Sequence, residues 1–379
     1  MSVVVHVSTV HPAFDQRIFH KECASLQAAG FAVHLVVHSD VQGRQSNGVS
    51  IHSLGNRAAP SLGLHAASRA RAVANAGRLC LRLNASLYHL HDPELIPLGL
   101  MLKRLTGARV IFDAHENYAG FVQQKRYLAT PIRKACGVAM AGLERTAARV
   151  FDSIVVADEG TAEIYREYGA ERPCVVRNFP ILRLFPMGEP AEMGRPVDVV
   201  YHGTLPKYHL ELAFATASEL MRRGRRVRWN LFGNCYVREW AAEQISARGL
   251  EGVFELGGRV PHETVSKIVQ RAKIGYIPLP DLPKFHQNIP TKLFEFMALG
   301  IPVVATDLPP SRGFLADGEC GILVPPSDVQ AHADAIIKLL DDQGLRTSMG
   351  QEGRRRVCSL WNWEREQDRL VSRYRELLD

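Results

Sequence analysis

The chain has 379 residues, 46% of them hydrophobic and 22% charged, with no biased tract; this is the composition of a soluble globular protein and excludes a fibrous or disordered one. Such a length exceeds one ordinary core, so two domains are expected. A formal net charge of +7 points to acidic partners, such as nucleotide phosphates, a lipid-linked pyrophosphate or an anionic membrane surface, without choosing among them.

In chain order, Met1 to Val10 runs straight into a strand pattern, with Val3 to Val7 as its buried part and no basic leader before it. A helix follows over Arg17 to Ala29, striped by Ile18, Cys23 and Leu26 and stopped at Gly30, and Ala32 to Val37 is the next strand. Further strands are expected at Leu87 to His91, Arg109 to Asp113 and Ile154 to Ala157. Helices are expected at Ala66 to Leu83, Leu95 to Leu105, Pro131 to Val150 and Ala162 to Tyr168. Strands alternating with helices imply parallel pairing through right-handed crossovers.

The rhythm breaks where Pro180, Pro186, Gly188, Pro190, Gly194 and Pro196 cluster, which predicts a linker over 181–196. A second series then starts, with strands at Val197 to His202, Arg228 to Phe232, Val253 to Leu256, Ile274 to Pro278, Pro302 to Thr306 and Gly321 to Val324, and a last helix over Glu364 to Leu378. The expected division is 1–180, a linker, 197–360, and a terminal helix over 361–379 that returns to the first domain.

The seven cysteines stand singly, as Cys23, Cys80, Cys136, Cys174, Cys235, Cys320 and Cys358; this odd, scattered set predicts reduced thiols rather than a disulfide framework or a zinc site. No uninterrupted apolar run is long enough to span a bilayer. A cytoplasmic protein is expected, with contact to the inner face of the cytoplasmic membrane as a further expectation.

The segment richest in chemistry is PTKLFEFMALGIPVVAT, Pro290 to Thr306. Thr291 and Lys292 open a helix that carries Glu295, and a buried strand follows. Ligands of α/β sheets bind beyond strand carboxyl ends and near helix amino termini. Lys292 in the first turn suits a phosphate, and Glu295 one turn on can accept from both ribose hydroxyls.

This segment resembles the donor-site helix of retaining GT-B glycosyltransferases, in particular glycosyltransferase family four. Glu295 matches the second of two family glutamates, and Ala298, Gly300, Pro302 and Val303 match the run after it; the first glutamate position holds Gln287, which can hydrogen-bond a sugar hydroxyl but carries no charge. HPAFDQRIFHKECASLQAAGFAVHLV, YHLHDPELIPLG and VIFDAHENY resemble one subgroup of the family. That resemblance implies acceptor-side roles for Asp15, Arg17 and His91. It also implies a catalytic His115, at the sugar and the reacting hydroxyl, with Glu116 beside it. Asp15 is equally a helix-capping residue type.

In the second half the resemblance extends to Tyr201 to Ala213, where relatives hold the donor diphosphate with two cations. Gly203 is kept, Thr204 stands in for an arginine, and the later basic position falls on His209, with Lys207 nearby. Phe232 to Cys235 resembles the family's glycine turn at the nucleotide, through Gly233. Leu256 to Pro280 resembles its base-binding region, where the backbone at Arg259 and Val260 reads the base.

What the resemblance implies is an α/β protein of GT-B fold, with two Rossmann-like parallel-sheet domains facing a cleft. The implied reaction moves a hexosyl group, with retention, from a nucleoside diphosphate sugar (UDP or GDP) to a hydroxyl of a glycan or lipid-linked glycan. Two alternatives share the architecture: a UDP-sugar 2-epimerase of GT-B type, and a non-catalytic nucleotide-sugar-binding subunit. No cofactor or metal is expected, since no Asp-x-Asp or His/Cys spacing argues for one. Nucleic acid is not an expected partner. Basic clusters at Arg69, Arg71, Arg78 and Arg82, at Lys125, Arg126, Arg133 and Lys134, and at Arg222 to Arg228 include faces suited to an anionic membrane surface.

Overall fold

The structure is a computed structural model that describes residues 1–44, 47–55, 65–123, 129–187 and 197–379. The chain divides into two compact units, Met1–Asn178 with Glu364–Asp379, and Phe179–Trp363. Of the expected linker, 188–196 lies outside the described residues; Leu182–Leu184 forms a single 3-10 turn, and Phe185 is buried in the second unit's apolar core.

The first unit is built on β1 Val3–Pro12, β2 Ala32–His38, β3 Gly43–Arg44, β4 Ser50–Ser53, β5 Leu87–Leu90, β6 Arg109–Ala114, β7 Ser153–Val156 and β8 Cys174–Val175. Their order is β3-β4-β2-β1-β5-β6-β7-β8, with every pair parallel except β3 with β4. Strands buried on both faces favour apolar runs, and Val4, Val5 and Val7 are fully buried, with His6 buried among them. Helices His65–Leu83, Ile96–Thr106, Thr130–Val150 and Glu159–Tyr168 supply the crossovers. The last is capped by Asp158, whose carboxylate accepts from the Thr161 amide at 2.7 Å. The short edge strands β3 and β8, and the short β4 beside β3, had no signature in the sequence, because two to four residues are too few to show a period.

The stretch expected as one helix, Arg17 to Ala29, is instead a π-helical turn, Ile18–Cys23, followed by a short α-helix, Ala24–Ala28. His20 and Glu22 donate to carbonyls five residues back, on Asp15 and Arg17. The wider turn buries Arg17, Lys21 and Glu22, which ordinary helical spacing would have left in solvent.

The second unit contains β9 Val197–Thr204, β10 Trp229–Asn234, β11 Phe254–Gly257, β12 Ala272–Ile277, β13 Val303–Thr306 and β14 Gly321–Val324. All pairs are parallel, in the order β11-β10-β9-β12-β13-β14. This is the doubly wound dinucleotide-binding order, in which strand succession reverses between β9 and β12 and opens a crevice at their carboxyl ends. The same reversal occurs in the first unit between β1 and β5. Trp229, Phe214 and Tyr276 fill one side of the second sheet, and Phe294, Phe296 and Met297 the other.

Two predictions follow from these cores. His332 is buried, with Nδ1 2.9 Å from the Tyr276 hydroxyl, and burial lowers its pKa to about 4 against the opposing pull of the Pro325 carbonyl. The unfolded chain therefore binds a proton that the folded one refuses. The contribution to stability is complete above about pH 6.5 and is lost as pH falls toward 4, amounting to about 2 kcal/mol by pH 5. Denaturant titrations at pH 7 and pH 5 should show a drop in stability smaller by that amount in His332→Gln; an identical drop would exonerate His332.

Gly233 has φ +132°, and a Cβ there would lie 1.9 Å from the Gly203 carbonyl oxygen, whereas a Cβ at Gly224 (φ +75°) meets nothing within 4 Å. Gly233→Ala should cost more than about 2 kcal/mol of unfolding free energy and Gly224→Ala about 1 kcal/mol. Equal losses by chemical denaturation would refute the close approach.

Candidate functional site

In the second unit the crevice-forming ends carry a compact group of polar side chains. His202, Gly203 and Thr204 end β9, and Gly233 lies beside Gly203 on β10. Gly203 has φ +116°, and a Cβ on it would sit 2.4 Å from Lys292 Cε, so the lysine stem crosses bare backbone. Lys292 Nζ lies 5.5 Å from the centre of the Tyr201 ring, a cation–π distance. Burial lowers the Lys292 pKa, and the neighbouring Glu295 charge works the other way. Glu295 Oε2 is 3.1 Å from His202 Nε2.

Helix Thr291–Ala298 brings Lys292 and Glu295 there, one turn apart, with a buried face of Leu293, Phe294, Phe296 and Met297. Its amino terminus follows Pro290, which provides no side-chain cap; the Leu293 amide donates to the Pro290 carbonyl at 3.0 Å, and the Thr291 and Lys292 amides precede it at the end where an anion is favoured. Thr291 is half-buried at that terminus, and Thr204 is exposed at the end of β9. Arg259 is exposed and Val260 half-buried just beyond β11, and the Gly258 carbonyl accepts from the Gly233 amide at 3.0 Å. Gln287 is exposed at the end of the 3-10 turn Pro283–His286.

Two expected phosphate ligands are otherwise engaged. His209 is an interior ring, with Nδ1 3.0 Å from the Tyr201 hydroxyl and packing against Tyr208 and Phe285. Lys207 reaches Glu211 on its own helix at 3.8 Å and sits 4.9 Å from the Trp240 ring. The helical period that turns position 209 toward the core turns 207 outward. Tyr236, 83% exposed just past β10, escaped notice because an isolated tyrosine in a turn has no pattern around it.

In the first unit, Asp113 is the next-to-last residue of β6 and is held by Arg17, whose Nε and Nη2 donate to its two oxygens at 3.0 Å each. Arg17 Nη1 donates to the Val176 carbonyl at 2.8 Å, and Nε lies 2.9 Å from Glu22 Oε1. The expectation that Arg17 reaches a ligand is thereby corrected: its side chain is buried and all three nitrogens are used inside the fold. Asp15 accepts from the Arg17 and Ile18 amides at 2.8 and 3.0 Å. Burial opposes its ionisation, but the His11 ring and these amides hold its carboxyl well below the usual carboxylate range.

His115 follows β6 with Nε2 3.0 Å from Asp113 Oδ2, and it remains partly open at 15% side-chain exposure. The carboxylate accepts Nε2–H and leaves the lone pair on Nδ1, the arrangement in which an acid fixes the tautomer of a neighbouring base. Glu116 is half-buried beside it. His91 is fully buried, so its expected contact with an acceptor is also corrected: Nδ1 lies 3.2 Å from Asp113 Oδ2 and Nε2 2.9 Å from His6 Nδ1.

Behind His91 lies a set of groups that sequence reading passed over. His6 and His89 face each other across β1 and β5, and Tyr374, from the terminal helix Trp363–Leu378, lies 3.0 Å from His6 Nε2 and 2.6 Å from His89 Nδ1. Burial pushes His6 and His89 well below the ordinary histidine pKa and, with Asp113, pushes Glu22 well above the ordinary carboxyl value. Burial also works against Asp113, yet Arg17, His115 and His91 keep its carboxyl well below the usual range. His6, Glu22, His89 and His91 have donor atoms near enough to share an ion, as do His91, Asp113 and His115. The available signal was histidine interrupting apolar runs in VVVHV and LYHLH.

Two protein-family models match the chain: "Glycosyl transferase 4-like domain" over residues 16–178 and "Glycosyl transferases group 1" over 189–356. A relative, the alpha-D-kanosaminyltransferase of Streptomyces kanamyceticus, is 29% identical over 184 residues, 48% of this chain and 46% of that protein. The chain spans less than half the length of the curated relatives it matches first. Among solved structures, sucrose-phosphate synthase from Thermosynechococcus elongatus superposes with a TM-score of 0.77 at 19% identity, covering 100% of this chain and 99% of the other. Anabaena HepE in complex with UDP-glucose gives 0.75 at 13% identity, covering 99% and 100%. Two doubly wound parallel sheets, each under its own glycosyltransferase model, establish that the chain belongs to the GT4-type glycosyltransferases of GT-B fold.

Proposed function

We propose that this chain transfers a hexosyl group from a nucleoside diphosphate sugar to a hydroxyl of a glycan or lipid-linked glycan, with retention of anomeric configuration. The observation that carries the reading is the juxtaposition of Lys292, Glu295 and the side-chain-free backbone at Gly203 where strand order reverses in the second unit. Uncapped amides and one ammonium suit a diphosphate, and a carboxylate one helical turn away suits the two ribose hydroxyls. Thr204, Thr291 and the Gly233 turn complete the proposed donor contacts, with the backbone at Arg259 and Val260 at the base and Gln287 at the sugar. UDP or GDP is the proposed nucleotide; HepE is a structural neighbour seen with UDP-glucose.

His115 is proposed to orient the bound sugars by accepting a hydrogen bond through Nδ1 from a hydroxyl beside the reacting one, with Asp113 fixing its tautomer and Glu116 beside it. No carboxylate in this set is positioned by its contacts as a nucleophile, so retention is assigned to a front-face route. In that route the departing phosphate takes the acceptor proton as the glycosidic bond to it breaks and the new one forms. Lys292 and the amides stabilise the charge that grows on the leaving group. The epimerase and binding-subunit alternatives draw no support from the family matches.

A membrane surface is a further proposed partner. Helix Thr130–Val150 exposes Ile132 (56%) and Val138 (70%) beside Arg133 and Lys134, the combination that seats in an anionic interface. Arg69, Arg71, Arg78 and Arg82 are exposed on helix His65–Leu83. Lys125 and Arg126 lie outside the described residues. In the run Arg222 to Arg228, Glu219, Asp334, Asp341 and Asp198 pair Arg222, Arg223, Arg225 and Arg228, and Arg226 donates to the Glu251 carbonyl, so this run is less suited to a membrane than the first unit's clusters. No described helix is long and apolar enough to cross a membrane.

Glu295→Ala should weaken UDP or GDP binding by about 10- to 100-fold in calorimetry, the worth of one or two charge-assisted hydrogen bonds. Unchanged affinity for both would remove Glu295 from the ribose site. With labelled donor and a panel of lipid-linked glycans, His115→Ala should lower kcat by about 100-fold or more while donor affinity stays within about threefold. Near-normal turnover would take His115 out of the reaction, and epimer formation without acceptor would overturn the transferase reading.

A further inference from the structure

The interior of the first unit holds a group of side chains that the proposed transfer does not use. His6 Nδ1 and His91 Nε2 lie 2.9 Å apart, and Glu22 Oε2 lies 3.9 Å from each. The point equidistant from these three atoms is about 2.1 Å from all of them, the length of a zinc–nitrogen or zinc–oxygen bond. His89 brings a fourth donor atom within 4.8 Å of the others. All four residues are fully buried.

The nitrogens that face away from this point each rest on an oxygen. His91 Nδ1 lies 3.2 Å from Asp113 Oδ2, and His6 Nε2 and His89 Nδ1 lie 3.0 and 2.6 Å from Tyr374 Oη, which has two lone pairs to accept both. Such outer acceptors are what fix imidazole rings with their lone pairs toward a metal. Within the group, neither Glu22 Oε2 nor His89 Nε2 has a hydrogen-bond partner among the described residues, although both are buried. A buried carboxylate oxygen and a buried ring nitrogen left without a partner each carry a desolvation cost, and a cation between them removes it.

We propose that His6, Glu22, His89 and His91 form a buried site for one divalent transition-metal cation of the zinc class. His6 binds it as the Nε2–H tautomer, through Nδ1. Glu22 divides its oxygens between the cation and Arg17 Nε, and the Arg17 charge is balanced by Asp113. Four protein donors and no exposed face leave no open position for water, so the ion is structural. It ties the π-helical turn that carries Glu22 to β1 and β5.

Tag-free full-length protein, refolded from denaturant with one equivalent of Zn2+ and dialysed without chelator, should retain about one zinc per chain by mass spectrometry. Refolding with Co2+ should give the visible d–d absorption of a four-coordinate nitrogen/oxygen site. Glu22→Gln should lower the retained metal at least tenfold, and His115→Ala should leave it unchanged. Because Glu22→Gln can fail for reasons of folding, the wild-type thermal midpoint is measured with and without Zn2+ and should rise with added metal. Wild-type protein that refolds fully, takes up neither ion and keeps one midpoint would overturn the proposal in favour of a metal-free hydrogen-bonded cluster. Loss of metal in His115→Ala alone would overturn it in favour of the His91, Asp113 and His115 group. Neither readout depends on glycosyl transfer.

Discussion

At the ends of β9 and β10 two backbones approach until neither can carry a side chain. A Cβ on Gly233 would fall on the Gly203 carbonyl, and one on Gly203 would fall on the stem of Lys292. Both glycines take positive φ, the region an L side chain enters only with strain. This approach gives the second unit a strand end made of bare peptide groups, with one ammonium laid over it. Backbone amides are rigid and carry no rotamer entropy, so an anion bound there is held by parts the fold has already fixed. The packing of Phe294, Phe296 and Met297 on the sheet holds helix Thr291–Ala298 at the height where Lys292 and Glu295 meet this edge.

The first unit solves its own strand-end problem with charge in place of empty space. Asp113 is buried, which is tolerable only because the Arg17 guanidinium meets both its oxygens. The π-helical turn is what permits this, since it turns Arg17 and Glu22 inward together. The outcome is an anionic anchor beneath a partly exposed His115, with a fully buried His91 on the same oxygen. Polar groups so arranged are costly one at a time and stable only as a set, so rigidity at His115 derives from the completeness of the set behind it.

Sequence patterns read faces well and partners poorly. Apolar runs such as Val199 to Tyr201 and Val303 to Ala305 located strands because burial on both sides demands such runs. The spacing of Lys292 and Glu295 was legible because one helical turn brings both to the same side. Arg17 was misjudged for the opposite reason: its partner Asp113 is 96 positions away, and no local period reports that pairing. Lys207 and His209 show the same limit, as their engagements with Trp240 and Tyr201 depend on how a helix is rotated against its sheet. The basic run from Arg222 to Arg228 reads as a cationic patch in one dimension, and four of its five arginines are ion-paired in three.

By itself the sequence determined two α/β series and the helix that carries Lys292 and Glu295. These follow from hydrophobic period, proline and glycine positions and short-range geometry, all of which act within about ten residues. Tertiary structure alone decided the strand orders, and with them which strand ends flank the reversals at β1 with β5 and β9 with β12. It also decided that His6, His89 and His91 share an interior with Glu22 and Tyr374. Parallel pairing unites residues through crossovers tens of positions long, and the energy of a buried polar contact depends on the partner found at the far end.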